Sequence, residues 1–422
     1  MKVLLCNKYN YPFSGTEVYL FELMDLLRER GHQLATFSMS HPSNVPSLFE
    51  KHFVPYADFR DPDLGPVKRL RLAQRAVYSV DARRRLRGLL SDFRPDVAHV
   101  RNVYHHLSPS IYWELKKHGV PVVYHLNDFK LLCPNYNLVS HGRVCERCIR
   151  GAFHNVVTER CHGDSLAENL VLAAEAYVHR WLGTYRRCVT RFIAPSAFCR
   201  AKLVESGWPS ERIDVLPHFQ VIPPEAAIAP GDDYVLCSGR LSAEKGVSDL
   251  LEAMARLPHI RLLLAGDGPQ RAELQRLAER RRLGNVEFRG HVDRSTLYRL
   301  IRGARFTIMP SRAYETLGKV ILESYALGRA VVAARVGTRP ELVREGETGL
   351  LFEPADVGEL AARISFLHSR PELCLEMGKR AQRAVIERYS PERHYAGLMS
   401  IYRAAMEPDG VHAPDPTSRV VN

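Results

Sequence analysis

The sequence predicts an α/β protein of two domains, each built on a parallel sheet. Three observations carry that expectation. The chain has 422 residues, more than one ordinary domain holds. Short buried-strand patterns alternate with amphipathic helical ones along most of it, as in successive strand–helix–strand units. Residues 220–233 are rich in Pro, Ala and Asp and read as a linker between the halves.

The first half, residues 1–216, reads as a Rossmann-like domain. Residues 2–6 form a buried strand, too short an apolar stretch for a signal peptide. A turn over 11–17 leads into an amphipathic helix over 18–30, ended by Gly31-His32 before a strand at 33–37. Gly15 falls where the backbone of such a unit must approach a ligand; a simple left-handed turn is the alternative. Further strands read at 97–100, 120–126 and 192–194, the last followed by Pro195-Ser196 and a helix over 197–205.

Two segments of this half break the pattern. Residues 66–90 read as one basic helix, in which Lys68, Arg69, Arg71, Arg75, Arg83, Arg84, Arg85 and Arg87 face a single acid, Asp81. Its apolar residues supply a second face, so it suits either anionic lipid or a solvated surface packed on the sheet. Residues 1–216 hold 30 Lys+Arg against 21 Asp+Glu, a balance of +9 out of +12 for the chain, which points to an anionic partner for this half. The second segment is a loop, 133–161, carrying Cys133, Cys145, Cys148 and Cys161. Cys145-x-x-Cys148 places two thiolates on one ion, and the outer pair completes a tetrahedral structural zinc site; an iron–sulfur cluster and a free-thiol loop are the alternatives. The other five cysteines read as core fillers. No run of about 18 apolar residues predicts a membrane span, so the expected setting is a reducing cytoplasm without a disulfide framework.

The second half, 234–390, carries the densest chemistry. A strand over 234–238 runs into Gly239-Arg240-Leu241-Ser242-Ala243-Glu244-Lys245-Gly246. Gly239 permits a tight turn, and Arg240 and Lys245 bring two cations to one loop, suited to a departing diphosphate. A strand over 260–265 precedes Gly266-Asp267-Gly268-Pro269, and another over 305–310 stops at Pro310. Beyond it, Glu315 sits in a strand-to-helix turn, and Glu323, eight positions on, falls about two helical turns in. The amides of Thr316, Leu317, Gly318 and Lys319 then lie at a helix N-terminus, where a phosphate is stabilised, and the two acids suit sugar and ribose hydroxyls. A strand over 331–334 and Gly337-Thr338-Arg339-Pro340-Glu341 follow. Residues 391–406 form a last helix, and 407–422 read as a frayed tail.

The Glu-x7-Glu pair, the Gly-x-x-Pro-Glu segment behind it and the Gly-Arg-Leu-x-x-x-Lys-Gly loop resemble the retaining glycosyltransferases of family four (glycosyl transferases group 1), and Leu132-Cys133-Pro134 with its cysteine cluster resembles a bacterial subgroup of that family. The resemblance implies the GT-B fold, two Rossmann-like domains facing across a cleft, with the last helix crossing back onto the first domain. It implies a nucleotide-diphosphate sugar donor held by Gly15, Gly239, Arg240, Lys245, Gly266, Gly268, Glu315, Thr316–Lys319 and Glu323, and a glycan or lipid-linked acceptor at the cytoplasmic membrane face. It implies no metal for catalysis, Arg240, Lys245 and helix amides taking its place. Glu323 would hold the ribose and Glu315 the transferred sugar. Two positions depart from the family. Asn127-Asp128 stands where many members have His-Asp, so either His125, two residues earlier, or Asn127 itself would serve the cleft; His105 and His106 are further candidates. His218-Phe219 replaces Asn-Gly at the hinge. Rival readings are a basic nucleic-acid-binding protein with a four-cysteine metal site, disfavoured because the arginines are not interleaved with stacking aromatics, and a sugar-nucleotide epimerase of the same fold. Asp61-Pro62-Asp63 lies in a Pro-rich loop with no strand before it and is discounted as a metal motif.

Overall fold

The computed structural model describes residues 1–59, 61, 65–223 and 228–407. The Asp61-Pro62-Asp63 motif, part of the linker and the tail beyond 407 therefore lie wholly or partly outside the described residues.

Within 1–216 the chain forms β1 (Lys2–Cys6), β2 (Gln33–Phe37), β3 (Val97–Val100), β4 (Val122–His125), a short antiparallel hairpin β5 (Val139–Ser140) and β6 (Arg143–Val144), then β7 (Arg191–Ala194) and β8 (Ile213–Val215). All but the hairpin join one parallel sheet in the order β2-β1-β3-β4-β7-β8. Successive strand residues point to opposite faces, and both faces are apolar. Leu4, Cys6, Ala98, Val100 and Tyr124 pack with residues of the helices Val80–Phe93 and Ile111–Lys117. Val3, Leu5, Val97, Val123 and Ile193 pack instead with the helix Gly15–Glu29 and with the last helix, Pro391–Met406. A sheet buried on both sides is what near-continuous apolar strands require.

The rest of the chain forms β9 (Tyr234–Ser238), β10 (Arg261–Ala265), β11 (Val286–Gly290), β12 (Thr307–Met309), β13 (Val331–Ala334) and β14 (Gly349–Phe352), parallel throughout in the order β11-β10-β9-β12-β13-β14. In each sheet the strand order reverses beside the first strand, between β1 and β3 and between β9 and β12. At such a point the flanking loops diverge and leave a crevice at the carboxyl ends of the strands. The loops after β9 and β12 hold Gly239–Gly246 and the turn that carries Glu315.

The last helix ties the ends of the chain together. Leu398, Met399, Ile401, Tyr402 and Ala405 lie on the first sheet, Tyr402 Oη meets His99 Nδ1 at 2.7 Å, and Tyr19 Oη meets His394 Nε2 at 2.8 Å. Among the described residues no helix is long and apolar enough to cross a membrane, and all nine cysteines are free thiols.

The basic segment 66–90 is two helices, Pro66–Val77 and Val80–Phe93, not one. The break is enforced by tertiary hydrogen bonds. Buried Ser79 caps the second helix through the Ala82 amide (3.1 Å) and exchanges backbone bonds with Ser110 Oγ, while His179 Nε2 lies 2.7 Å from the Val77 carbonyl. Much of the positive charge is neutralised locally. Arg83 and Arg87 both reach Glu114, which is wholly buried, and Arg84 and Arg85 pair with Asp81.

Candidate active site

The loop after β9 and the loop after β12 meet at the reversal of the second sheet. Lys245 Nζ lies 2.5 Å from Glu315 Oε1. Burial opposes the charge on Glu315, but Lys245 and Arg339 outweigh it and hold the carboxyl below its usual range. Arg240 stands exposed on the same loop. Gly266 has φ +153, and a Cβ there would come 1.8 Å from the Gly239 carbonyl oxygen, so the turns after β9 and β10 close on each other only through glycine. Gly268 packs similarly on Leu241, and its amide donates to Asp267 Oδ1 at 2.7 Å.

The helix after Glu315 begins at Lys319, so Glu323 lies one turn into it rather than two. Residues 311–318 stay out of the helix because other groups take their carbonyls. Buried Arg339 donates to Ser311 (2.7 Å) and Ala313 (2.9 Å), and Thr338 Oγ1 donates to the Glu315 carbonyl at 2.6 Å. Gly318 then turns the chain at φ +91, a conformation that favours glycine. Leu317 buries its side chain with Met309 and Ile321, so only its backbone faces a ligand. The Thr316–Lys319 amides precede the helix, where no earlier turn pairs them. Glu323 is half-buried, and burial raises its carboxyl above the usual range against the opposing pull of Lys319 and Arg294.

The opposite wall comes from the first domain. Gly15 opens the helix Gly15–Glu29 with free space where a side chain would be. About two turns later, Glu22 takes Lys319 at 2.7 Å and Arg294 at 2.6 Å, so a lysine of the second domain is paired across the cleft. Asn127 is held from two sides. Its carbonyl accepts from Thr316 Oγ1 at 3.0 Å, and Arg101 donates to its Oδ1. Asp128, bonded to the Tyr104 hydroxyl, is pushed up to about 6 by burial. Glu341 accepts from the Ala197 amide at 3.0 Å and also from Phe198, capping a first-domain helix with a second-domain carboxylate.

His125 is wholly buried and does not reach the cleft. Its Nδ1 lies 3.2 Å from His99 Nε2 and from Arg101, and its Nε2 lies 3.2 Å from His218 Nε2. Burial, with Arg101 second, holds it neutral. The strand alternation that aligned His125 with Asn127 ends at His125 itself, the last residue of β4. Asn127 therefore occupies the cleft position alone. His218 stacks on Tyr19 at 3.9 Å and fills the hinge. His106 lies 5.8 Å from Tyr9 across the first-sheet crevice.

In the cysteine loop, Cys133 and Cys148 lie side by side. Cys133 and Cys148 are hydrogen-bonded thiols. Cys145 and Cys161 are near enough to act on Cys148 electrostatically, but Cys161 Sγ is directed to the Val156 carbonyl at 4.0 Å. Among the described residues no three His, Cys, Asp or Glu side chains stand ready around one ion. The hairpin β5–β6 brings Gly142 to the second domain, where a Cβ would sit 3.5 Å from Ala243. Lys202 Nζ meets Glu146 at 2.7 Å.

Sequence reasoning missed Glu22, Arg101 and Arg294 as site residues. Only Arg339, inside the Gly337–Glu341 segment, carried a local signal.

A model of the glycosyl transferases group 1 family matches residues 219–384, and one of a glycosyl transferase 4-like domain matches 14–218. Both halves are thereby accounted for. The chain belongs to the group 1 glycosyltransferases. Among curated members of related type, a glycogen synthase of Mycobacterium tuberculosis is 32% identical over 47% of this chain and 49% of its own, and the putative glycosyltransferase EpsD of Bacillus subtilis is 30% identical over 55% and 64%. The chain thus spans about half the length of the first of these curated relatives and under two thirds of the second. The chain superposes on sucrose-phosphate synthase of Thermosynechococcus elongatus with a TM-score of 0.68 at 20% identity, covering 96% and 98% of the two chains. It superposes on HepE of Anabaena, solved with UDP, with a TM-score of 0.66 at 21% identity over 96% and 100%. The fold is GT-B.

Proposed function

We propose that the protein transfers a sugar from a nucleotide-diphosphate donor to a glycan or lipid-linked acceptor with retention of configuration. The observation that carries the reading is the Lys245–Glu315 pair beside the unpaired Thr316–Lys319 amides at the reversal of the second sheet. Arg240, Lys245 and those amides would take the charge of the diphosphate as the glycosidic bond breaks, so that catalysis needs no metal. Turnover lost on chelation and restored by magnesium alone would overturn that part. Glu315, already bound by Lys245, is a poor free nucleophile. Departure and attack on one face of the sugar follows as the preferred course, and a trapped glycosyl-enzyme adduct would refute it. Glu323 would accept from the ribose hydroxyls, and Asn127 from the first domain would donate its free amide to the sugar. HepE, the UDP-bound neighbour, supports a nucleotide donor.

The test is a thermal-shift panel of UDP-, GDP-, ADP- and TDP-sugars on wild type and Glu323→Ala. One nucleotide sugar should stabilise the wild type, with binding weakened at least tenfold in the variant, about 1.5–3 kcal/mol for a charged hydrogen bond. No shift with any donor would sink the reading.

Two further assignments belong to the same proposal. Lys68 and Arg71 flank Val67 and Leu70, which are 62% and 72% exposed, and the neighbouring helix Leu166–Leu182 adds exposed Leu166, Leu170 and Trp181. Apolar and basic residues on one surface suit the interface of an anionic bilayer. Leu70→Asp with Trp181→Asp should abolish co-sedimentation with phosphatidylglycerol vesicles; equal pelleting of variant and wild type contradicts it. Zinc would gather Cys133, Cys145, Cys148 and Cys161, drawing the two outlying thiols to the Cys133–Cys148 pair, and would fix the loop without entering the chemistry.

A further inference from the structure

The first sheet also reverses, between β1 and β3, and the crevice there is lined with rings. From the loop after β1, Tyr9 contacts Tyr11 at 5.3 Å and Phe13 at 4.9 Å between ring centres. Tyr11 stacks on His41, from the loop after β2, at 4.6 Å and 19°. His41 meets Tyr56 at 5.1 Å. Across the reversal, Tyr9 faces His106, and His106 faces Phe59 at 5.0 Å. Phe13 is 62% exposed and Tyr56 49% exposed, which burial of apolar surface does not explain. Lys8 Nζ sits 5.1 Å from the Tyr9 ring and 6.0 Å from that of Tyr104, and Arg75 donates to the His106 carbonyl at 2.9 Å.

We propose that this ring-lined crevice is the acceptor subsite and that it takes a saccharide chain. The inference rests on the transferase reading and adds the acceptor's chemistry to it. A pyranose presents flat C–H faces and a rim of hydroxyls. Aromatic faces carry partial negative charge and pack on polarised C–H groups, while the tyrosine hydroxyls, imidazole nitrogens and Lys8 serve the rim. A hydrocarbon tail has no use for those polar edges. A nucleic-acid strand requires a line of cations along its phosphates, whereas here rings, tyrosine hydroxyls and imidazoles alternate around Lys8 and Arg75. The placement fits transfer. Asn127, at the carboxyl end of β4, touches Thr316 of the donor wall, and β3, β1 and β2 follow in order along the same edge. At ~4.8 Å per strand the rings extend roughly 10–15 Å from the junction, the reach of a short oligosaccharide whose end sits at Asn127.

The experiment uses the full chain, as wild type, Phe13→Ala, Tyr56→Ala and Tyr56→Phe, on an array of lipid-free oligosaccharides and single-stranded oligonucleotides. Donor-induced thermal shift is read on the same preparations. Wild type should retain at least one class of oligosaccharide; Phe13→Ala and Tyr56→Ala should lose that signal tenfold or more with the donor shift unchanged, and Tyr56→Phe should keep it. Protein that shifts with donor but retains no glycan, retains oligonucleotides instead, or binds glycan equally after both alanine changes overturns the subsite. Absence of any donor shift would instead strike the transferase reading.

Discussion

Across the cleft, the second-domain wall presents mostly charge and the first-domain wall mostly rings, with Glu22 as its link to the charged side. Lys245, Arg240, Lys319, Glu315 and Glu323 fall within two loops and one helix of a single domain. Tyr9, His41, Tyr56, His106 and Asn127 come from the ends of four different strands. The lysines of the charged wall are already paired, Lys245 with Glu315 of the same domain and Lys319 with Glu22 of the first domain. Under the proposed function, a diphosphate would meet lysines that these carboxylates already hold in place.

If the charged wall carries the chemistry, Lys245→Ala should have the largest effect. Its kcat should fall about 10²–10³-fold, or ~2.7–4 kcal/mol, the range for removing one preorganised electrostatic group, with the melting temperature little changed. A fall confined to KM would place Lys245 in ground-state binding only. The first-domain wall should respond in stability before chemistry. If zinc gathers the four cysteines, protein purified without chelator should contain one zinc per chain, and chelation should lower its melting temperature by several degrees; metal-free protein with an unchanged melt would remove zinc from the account. The smallest effect concerns Asp128. Burial raises its pKa to about 6, so the native state favours the protonated form. Its contribution is greatest below the ordinary carboxyl range and is lost as pH rises toward 6. Asp128→Asn should therefore melt about 2–4 °C higher than wild type at pH 7.5 and no higher near pH 4. A difference constant across pH would assign the effect to packing.

The same contrast separates what the sequence discloses from what it hides. The donor wall was legible because its chemistry is contiguous: a glycine loop, two acids at fixed spacing and a small apolar strand can be read in one pass. The last helix, over 391–406, was legible from its apolar periodicity and the Ser-Pro start. Glu22 and Lys319 are 297 positions apart, and no local pattern joins them. The split of the basic segment was hidden because Ser79, besides capping the second helix through Ala82, is fixed by Ser110, 31 positions on. Strands β8 and β14 were passed over because one is three residues long with a central aspartate and the other follows a turn of charged residues. His125 looked available because alternation predicts a face but not how deeply that face is covered.

The last helix bears on synthesis as well as on shape. Val3, Leu5 and Val97 are covered by residues near 400, so the first domain to leave the ribosome is the last to be finished. Until residues 391–406 emerge, an apolar sheet face stands open while the second domain already has every strand it needs. Such a face invites chaperones and aggregation alike. Truncation ahead of residue 391 would expose it permanently, failing first in solubility and only then in catalysis.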